Sequence, residues 1–408
     1  MRDRQRPHFG SGRVVKRAAL ALALTLFAAP LTGSAAPAFA TAPHAGTTHS
    51  QLHAITCVKS TSCFAVGEYQ PAAGQSRPLI ERWNGTTWSI VTSPNPAGAS
   101  FSRLYAVSCI SAANCFAVGQ QSSASVPNGR TLIERWNGKA WSIVVSANPA
   151  IGGQLNGVSC TSASFCVAVG LQSLTTSTCC KTFVERWNGL AWTGGSSTPV
   201  PAKSAYSRLA AVSCTSALKC FAVGTSSING TSFTLVERWN GTAWATVASP
   251  NPRIGTGGYF NAVSCTSATS CVAAGAYNEG GVGRPATLIE KWNGTTWAIV
   301  ANAIPPRAYT ELNGVACANA STCFTVGDWN RLSGAHTLIQ RWNGKAWSLS
   351  TSPAAAVKNN SLAGVACSSP TGCFAVGTAS TDGNPFGGTV LVAHWNGSAW
   401  SAVTAPSK

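Results

Sequence analysis

The chain has 408 residues, 16 cysteines and a formal net charge of +17, from 28 Lys and Arg against 11 Asp and Glu. Such a balance favours anionic surfaces but selects no ligand, because net charge governs solubility as much as partners. Beyond the N-terminus no apolar run approaches the roughly 20 residues of a membrane helix, which excludes a helical span in the body of the chain.

Residues 1–40 read as a signal peptide. Arg2, Arg4, Arg6, Arg13, Lys16 and Arg17 form a basic start, residues 18–29 a short apolar run, and Ala38, Phe39 and Ala40 an A-x-A cleavage site. No cysteine follows to carry a lipid, so a released, extracellular, monomeric protein beginning near Thr41 is expected. Removing this segment leaves 22 Lys and Arg against 10 Asp and Glu, a net charge of +12. Residues 41–51 read as a linker.

From residue 52 to 404 the sequence repeats. Fourteen cysteines fall into C-x5-C pairs, Cys57/Cys63, Cys109/Cys115, Cys160/Cys166, Cys214/Cys220, Cys265/Cys271, Cys317/Cys323 and Cys367/Cys373, with first cysteines 50 to 54 residues apart. A W-N-G-x-x-W motif keeps the same period, at Trp83/Trp88, Trp136/Trp141, Trp187/Trp192, Trp239/Trp244, Trp292/Trp297, Trp342/Trp347 and Trp395/Trp400; only Trp329 is out of step. A period of this length marks an array of supersecondary units that cannot bury their faces alone. The units lie near 52–100, 101–151, 152–204, 205–256, 257–308, 309–358 and 359–404.

Each unit reads as four short strands. In the second, residues 104–109 (LYAVSC) form strand a, 115–119 (CFAVG) strand b, 131–136 (TLIERW) strand c and 141–145 (WSIVV) strand d. Asn137 and Gly138 favour a two-residue hairpin between c and d. Forty glycines, few periodic helix formers and strands without clean polar alternation point to sheets covered on both faces. The fold class is therefore all-β, a seven-bladed β-propeller of four-stranded antiparallel blades. An open stack would need distinct caps, and the terminal units are ordinary.

The succession CFAVG, loop, LIERW, tight turn and second tryptophan resembles the kelch repeat of galactose-oxidase-type propellers, and it covers all seven units. The resemblance implies the propeller architecture. It transfers no copper ligands and no catalytic residue.

The repeated parts read as scaffold. The tryptophans are expected as wedges between blades, and the Glu-Arg pair before the first tryptophan, such as Glu134 and Arg135, as structural ion pairs with neighbouring copies. In an exported chain each C-x5-C pair is expected to form a disulfide within its blade, across the short a-b turn; two cysteines alone do not supply a zinc site. Cys179 and Cys180 break the pattern, and a vicinal disulfide, a bridge to another chain and free thiols all remain open.

Function is then expected where the copies differ, on the face of the b-c and d-a connections. That face carries Arg77, Arg103, Arg130, Lys181, Arg208, Arg253, Arg284, Arg307, Arg331 and Lys358, with Tyr69, Tyr105, Tyr206, Tyr259, Tyr277, Tyr309 and Phe386 among them. Blade six adds GDWNRLSGAH, which sets Asp328, Trp329, Arg331 and His336 within nine residues. The candidate ligand contacts are Trp329, Arg331, His336, Asp328, Tyr277, Arg284, Arg77 and Arg130, rings for stacking and guanidinium groups for acidic partners. The expected partner is an extracellular glycan or protein, possibly anionic. No specific nucleic acid, cofactor, metal or catalytic residue is expected. The carbohydrate-active enzyme remains as the alternative, built on acids such as Glu68, Glu279, Asp328 and Asp382 converging on a central funnel, with a purely structural surface protein behind it.

Overall fold

The computed structural model describes residues 49–71, 75–173, 180–196, 198–252, 257–279, 284–305, 309–331, 334–353, 359–380 and 388–408, all within one compact unit, Ala38–Lys408. The expected signal peptide, Cys179, Arg253, Arg307, Lys358, Asp382 and Phe386 lie outside the described residues.

Seven four-stranded antiparallel sheets, each built from consecutive strands in the order a-b-c-d, make up the molecule. In blade two, strand a is Phe101–Ser111, b Asn114–Ser123, c Val126–Trp136 and d Trp141–Ile143. Strands a, b and c run further than the sequence pattern predicts. Each strand a touches the strands a of both neighbours, and the cycle closes where Asn359–Ser369 of blade seven meets His49–Lys59 of blade one. Strand a is therefore innermost, and the fold is a closed seven-bladed β-propeller. Among the described residues no blade borrows a strand from the other end of the chain. At the closing joint the Ser50 hydroxyl donates to the Lys408 carbonyl at 2.9 Å, and the Lys408 amide donates back at 3.0 Å.

The two repeated motifs occupy one rung of each blade. Cys57 lies opposite Cys63, Cys63 opposite Trp83 and Trp83 opposite Trp88, and the other blades repeat this row. The seven C-x5-C pairs are all disulfides, with Cα atoms 3.9–4.1 Å apart. Cys180 is also disulfide-bonded and fully buried. Every first tryptophan donates its indole N–H to a carbonyl in its own a-b turn, as Trp292 does to Ala268 at 3.2 Å.

The core is seven inter-blade layers, one per joint. At the joint between blades four and five, Phe221 of strand b meets Trp297 edge-on at 5.3 Å between ring centroids, with Trp292 tilted against it at 5.1 Å. Such ring pairs add about 0.5–1.5 kcal/mol beyond their burial. Val167 and Val272 take the phenylalanine's place at two joints.

The disulfides close within each blade across the a-b turn, as expected, while two sequence expectations, on the c-d turn and on the Glu-Arg repeat, are corrected. The second cysteine of each pair, Cys63, Cys115, Cys166, Cys220, Cys271, Cys323 or Cys373, is at most 2% exposed and belongs to an inter-blade layer, Cys115 beside Trp136 and Trp141, Cys166 beside Trp187, Cys323 beside Trp342 and Cys373 beside Trp395. The reason is its place on strand b, which has a strand on either side and a neighbouring blade against it, so these sulfurs pack the core and meet no ligand. The first cysteines, on strand a, are only half-buried.

The c-d turn has four residues, because Trp83 and Trp88 pair directly around residues 84–87. Asn84 Oδ1 accepts the amides of Thr86 and Thr87, both at 2.9 Å, and Gly85 takes φ +101°. The Asn is thus a side-chain turn acceptor and not the first half of a two-residue turn. The Glu-Arg repeat does not form ion pairs with neighbouring copies: the two residues face opposite sides of the sheet, and they take different partners. The glutamate is buried against the preceding blade and accepts a hydroxyl from it: Ser93 to Glu134 at 2.9 Å, Ser146 to Glu185 at 2.6 Å, Thr198 to Glu237 at 2.6 Å and Ser249 to Glu290 at 3.0 Å. The cation lies over the next blade's tryptophan, from Arg82 over Trp136 at 5.6 Å to Arg341 over Trp395 at 5.0 Å.

Candidate functional site

In every blade the a-b pairing slips by one residue at the same point. Leu52 pairs with Gly67 and Ala54 with Val66, which leaves His53 unpaired in a β-bulge. Its counterparts are Tyr105, Asn156, Ala210, Asn261, Asn313 and Ala363. The glycine that ends CFAVG permits this close approach: a Cβ on Gly67 would sit 1.9 Å from the Gln51 carbonyl oxygen, and one on Gly224 2.0 Å from that of Arg208. A bulge re-aims a side chain. On the innermost strand the residue before the buried leucine and the bulged residue after it are both half-buried, and they line the axis near the end where strand a begins. That end is the face of the b-c and d-a connections.

The neighbouring innermost strands meet at backbone contact. A Cβ on Gly157 would lie 2.9 Å from the Ala211 Cα, and one on Gly364 3.0 Å from that of Ala54. Only Ala and Gly stand at this position in the seven blades, and the closeness brings channel residues of adjacent blades within bonding reach.

Two polar clusters result. On the side of blades one and two, Glu68 is buried and pairs with Arg103 at 2.6 Å and His53 at 3.6 Å, while Gln51 and Ser76 donate to it. Burial raises its carboxyl, but the contacts with His53 and Ser76 and the charge of Arg103 outweigh that and hold it below the ordinary carboxylate range. The cluster is locally compensated.

The second cluster spans blades four to seven. Glu311 and Asp328 stand directly opposite each other across the a-b ladder of blade six, an arrangement in which like charges repel. Asn261 of blade five donates to Glu311 at 2.9 Å, while Ser361 of blade seven and Asn313 donate to Asp328 at 2.9 and 3.3 Å. Burial pushes the Asp328 carboxyl up, the Ser361 bond opposes this and the Glu311 charge reinforces it. Burial also raises the Tyr259 phenol, as does its hydrogen bond to Glu311, against the nearby Arg208. The mouth thus presents a salt-bridged side and a side with two carboxyls, a phenol and a guanidinium.

Of the candidates named from sequence, Asp328 lies in this second cluster. Trp329, the next residue, faces the other way, stacks on His336 with centroids 4.5 Å apart and packs against the joint between blades five and six. Tyr277 packs against the joint between blades four and five. Arg77 donates to the carbonyls of Ala99 at 2.9 Å and Ser76 at 3.3 Å, tying the connections of blades one and two together. Arg130 is exposed opposite Gln121. Arg284 and Arg331 stand at strand ends on this face; their side chains, and that of Glu279, lie outside the described residues. Arg103, Tyr105, Arg208 and Tyr259 belong to strand a and not to the d-a loops. The signal that locates them is the pair of positions flanking the leucine of x-L-x-A-V-S-C, which change from copy to copy inside an otherwise constant motif.

No protein-family model and no curated protein sequence matches the chain. Solved structures do resemble it. A GH74 xyloglucanase from Xanthomonas campestris superposes with TM-score 0.56 at 12% identity over 87% of this chain and 54% of that one, so the chain spans about half its length. YCF48 from Cyanidioschyzon merolae gives TM-score 0.51 at 15% identity, covering 88% of this chain and 99% of that one. A PL25 ulvan lyase, bound to -[GlcA(1-4)Rha3S]-, gives TM-score 0.50 at 10% identity, covering 86% and 93%. At these identities the likeness establishes the propeller fold. The chain is a seven-bladed β-propeller with a disulfide in every repeat.

Proposed function

We propose that this is an exported binding propeller that recognises an extracellular glycan or protein at the mouth of its central channel. The observation that carries the reading is the ring of channel positions. Within a strand-a motif whose other positions hold one to three residue types, the repeats place Gln51 and His53, Arg103 and Tyr105, Gln154 and Asn156, Arg208 and Ala210, Tyr259 and Asn261, Glu311 and Asn313, and Ser361 and Ala363 there. Packing asks nothing of this variety, since the flanking leucines and small residues already fill the joints. A recognition surface does ask for it: amides and carboxyls bond hydroxyls, and phenols stack on sugar faces. Arg77, Arg130, Tyr277, Arg284, Trp329, Arg331 and His336 belong to the proposal as rim contacts. Export is supported by the seven disulfides, which persist in oxidising compartments, and kelch kinship rests on the repeat succession alone. The solved neighbours include a xyloglucanase and an ulvan lyase bound to -[GlcA(1-4)Rha3S]-, carbohydrate chemistry of the kind proposed.

The test is a glycan and polysaccharide array with the mature protein at physiological and high salt. Saturable binding that survives high salt and is lost in Arg208→Ala and Asn261→Ala is expected. Binding that vanishes with salt would reduce the surface to nonspecific charge, and a blank array would move the reading to a protein ligand.

The opposed pair Glu311 and Asp328 specifically favours a second reading, a carbohydrate-active enzyme. Two carboxyls facing each other across the ladder, with burial raising that of Asp328, supply the pair of acids that such chemistry uses. It predicts release of reducing ends from a bound polysaccharide, lost in both Glu311→Gln and Asp328→Asn.

A further inference from the structure

The joint between blades seven and one differs from the other six in three ways. At four joints a buried glutamate of strand c accepts a hydroxyl from the residue five or six places after the preceding blade's second tryptophan, as described above. Glu81 fills the glutamate's place in blade one, but Ala405 stands where the hydroxyl belongs. Glu81 is 0% exposed, and neither carboxyl oxygen has a hydrogen-bond partner. The positions equivalent to Glu81 in blades six and seven are Gln340 and Ala393, so an acid facing an alanine occurs once in the ring.

The second difference concerns the cation. From Arg82 to Arg341, six joints place an Arg or Lys over the next blade's first tryptophan. Blade seven has His394 instead, which stacks on its own Phe374 at 4.5 Å, and burial holds its imidazole toward the neutral form. The third follows from the second: Trp83 is only half-buried, whereas its six counterparts are buried.

A carboxyl without a partner in an apolar layer is tolerated only in its neutral form, because the ionised form requires water or a donor. Burial is the sole cause acting on Glu81, and it pushes the carboxyl up to about 8. Among the described residues, the titratable groups on the elements around this joint are His49, His53, Lys59, Glu68, Tyr69 and Arg77 of blade one, His394 of blade seven and Lys408, the last with its ammonium 4.6 Å from the Tyr69 ring; none hydrogen-bonds to Glu81. Arg82, next in the chain, faces blade two. Water reaches Glu81 only if the layer parts, and the blades share no strand here, so parting need not unfold either of them.

We propose that the joint between blades seven and one is the line along which this ring opens, with Glu81 holding it shut while protonated and forcing it apart once ionised. The ring is therefore closed in acid and at neutrality and loosens in alkali, at one joint and not uniformly.

Hydrogen exchange of the mature protein, read by mass spectrometry at pH 6 and pH 9 and normalised for intrinsic rates, tests this. Peptides covering His49–Lys59 and Thr389–Trp395 are expected to exchange at least tenfold faster at pH 9 than at pH 6, while their counterparts at the joint between blades two and three change less than threefold. Ala405→Ser supplies the missing hydroxyl and is expected to bring the closing joint down to the behaviour of its sisters. Glu81→Gln, which copies the residue blade six already carries, is expected to abolish the dependence on pH. Equal loosening at all joints, no loosening at pH 9, or a dependence that persists in Glu81→Gln would overturn the proposal.

Discussion

Raising the pH from 5 to 8.5 should lower the global stability of the ring, because several joints bury carboxyls, while local opening begins at the joint of Glu81, whose carboxyl alone lacks a partner on both oxygens. Burial pushes Glu81, Glu134, Glu237 and Glu290 from 4.5 to about 8, with Ser and Thr hydroxyls opposing it in the last three, and it moves Glu185 in the same direction. A folded value above the unfolded one means that the folded state holds the proton more tightly. The stability this confers is complete below about 4.5 and is lost as pH rises through about 8. Each group withdraws about 1.4 kcal/mol per pH unit in that window. Glu68 sets the acid limb with the opposite sign, since its contribution is present above about 4.5 and lost below its lowered folded value. The maximum should lie near pH 5. Calorimetry at pH 3.5, 5, 6.5 and 8.5 should show a Tm at least about 10 °C lower at pH 8.5 than at pH 5, with Glu290→Gln flattening the alkaline limb by one group's share. A Tm that is flat or rises between pH 5 and 8.5 would refute the assignment of these carboxyls as buried and protonated.

Three further outcomes are expected. Gly224→Ala would set a Cβ 2.0 Å from the Arg208 carbonyl and should cost more than about 3 kcal/mol in chemical denaturation, since the contact is with backbone that cannot swing aside. Phe221→Ala, which removes the wedge between Trp292 and Trp297, should cost about 3–5 kcal/mol, while Phe221→Val, the residue two joints already use, should cost distinctly less. Full reduction of the disulfides should lower the denaturation midpoint, each closed loop being worth about 2 kcal/mol in the chain-entropy model; an unchanged midpoint would assign the whole of the stability to the aromatic joints.

The period, the disulfide pairing and the blade count were legible because each rests on residues whose spacing admits one arrangement. The cysteines lie opposite each other across a short turn, and the tryptophans share their rung. That Cys115 and its counterparts also pack the joints was not legible, because burial of a strand-b residue depends on the neighbouring blade. The fate of Glu134 and Arg135 was not legible either, since pairing with neighbouring copies gives way to a hydroxyl of blade one for the glutamate and the Trp187 ring for the arginine. The channel residues were half legible. Arg103, Tyr105, Arg208 and Tyr259 stood out by type, but their extension into strand a depends on the bulge at Tyr105 and its counterparts, and a bulge leaves only a lone glycine as its trace. Asp328 and Trp329 read as one loop site because the sequence did not show that strand b of blade six runs on to Arg331.

A ring whose end blades meet by packing and a few hydrogen bonds, without sharing a strand, can be cut at other joints. Each blade carries its own disulfide, its own tryptophan rung and its own share of both adjoining layers, so the chain's termini could sit at any joint without splitting a sheet. Circularly permuted versions, opened between blades three and four and joined between Lys408 and His49 by a short linker, should therefore regain the same fold.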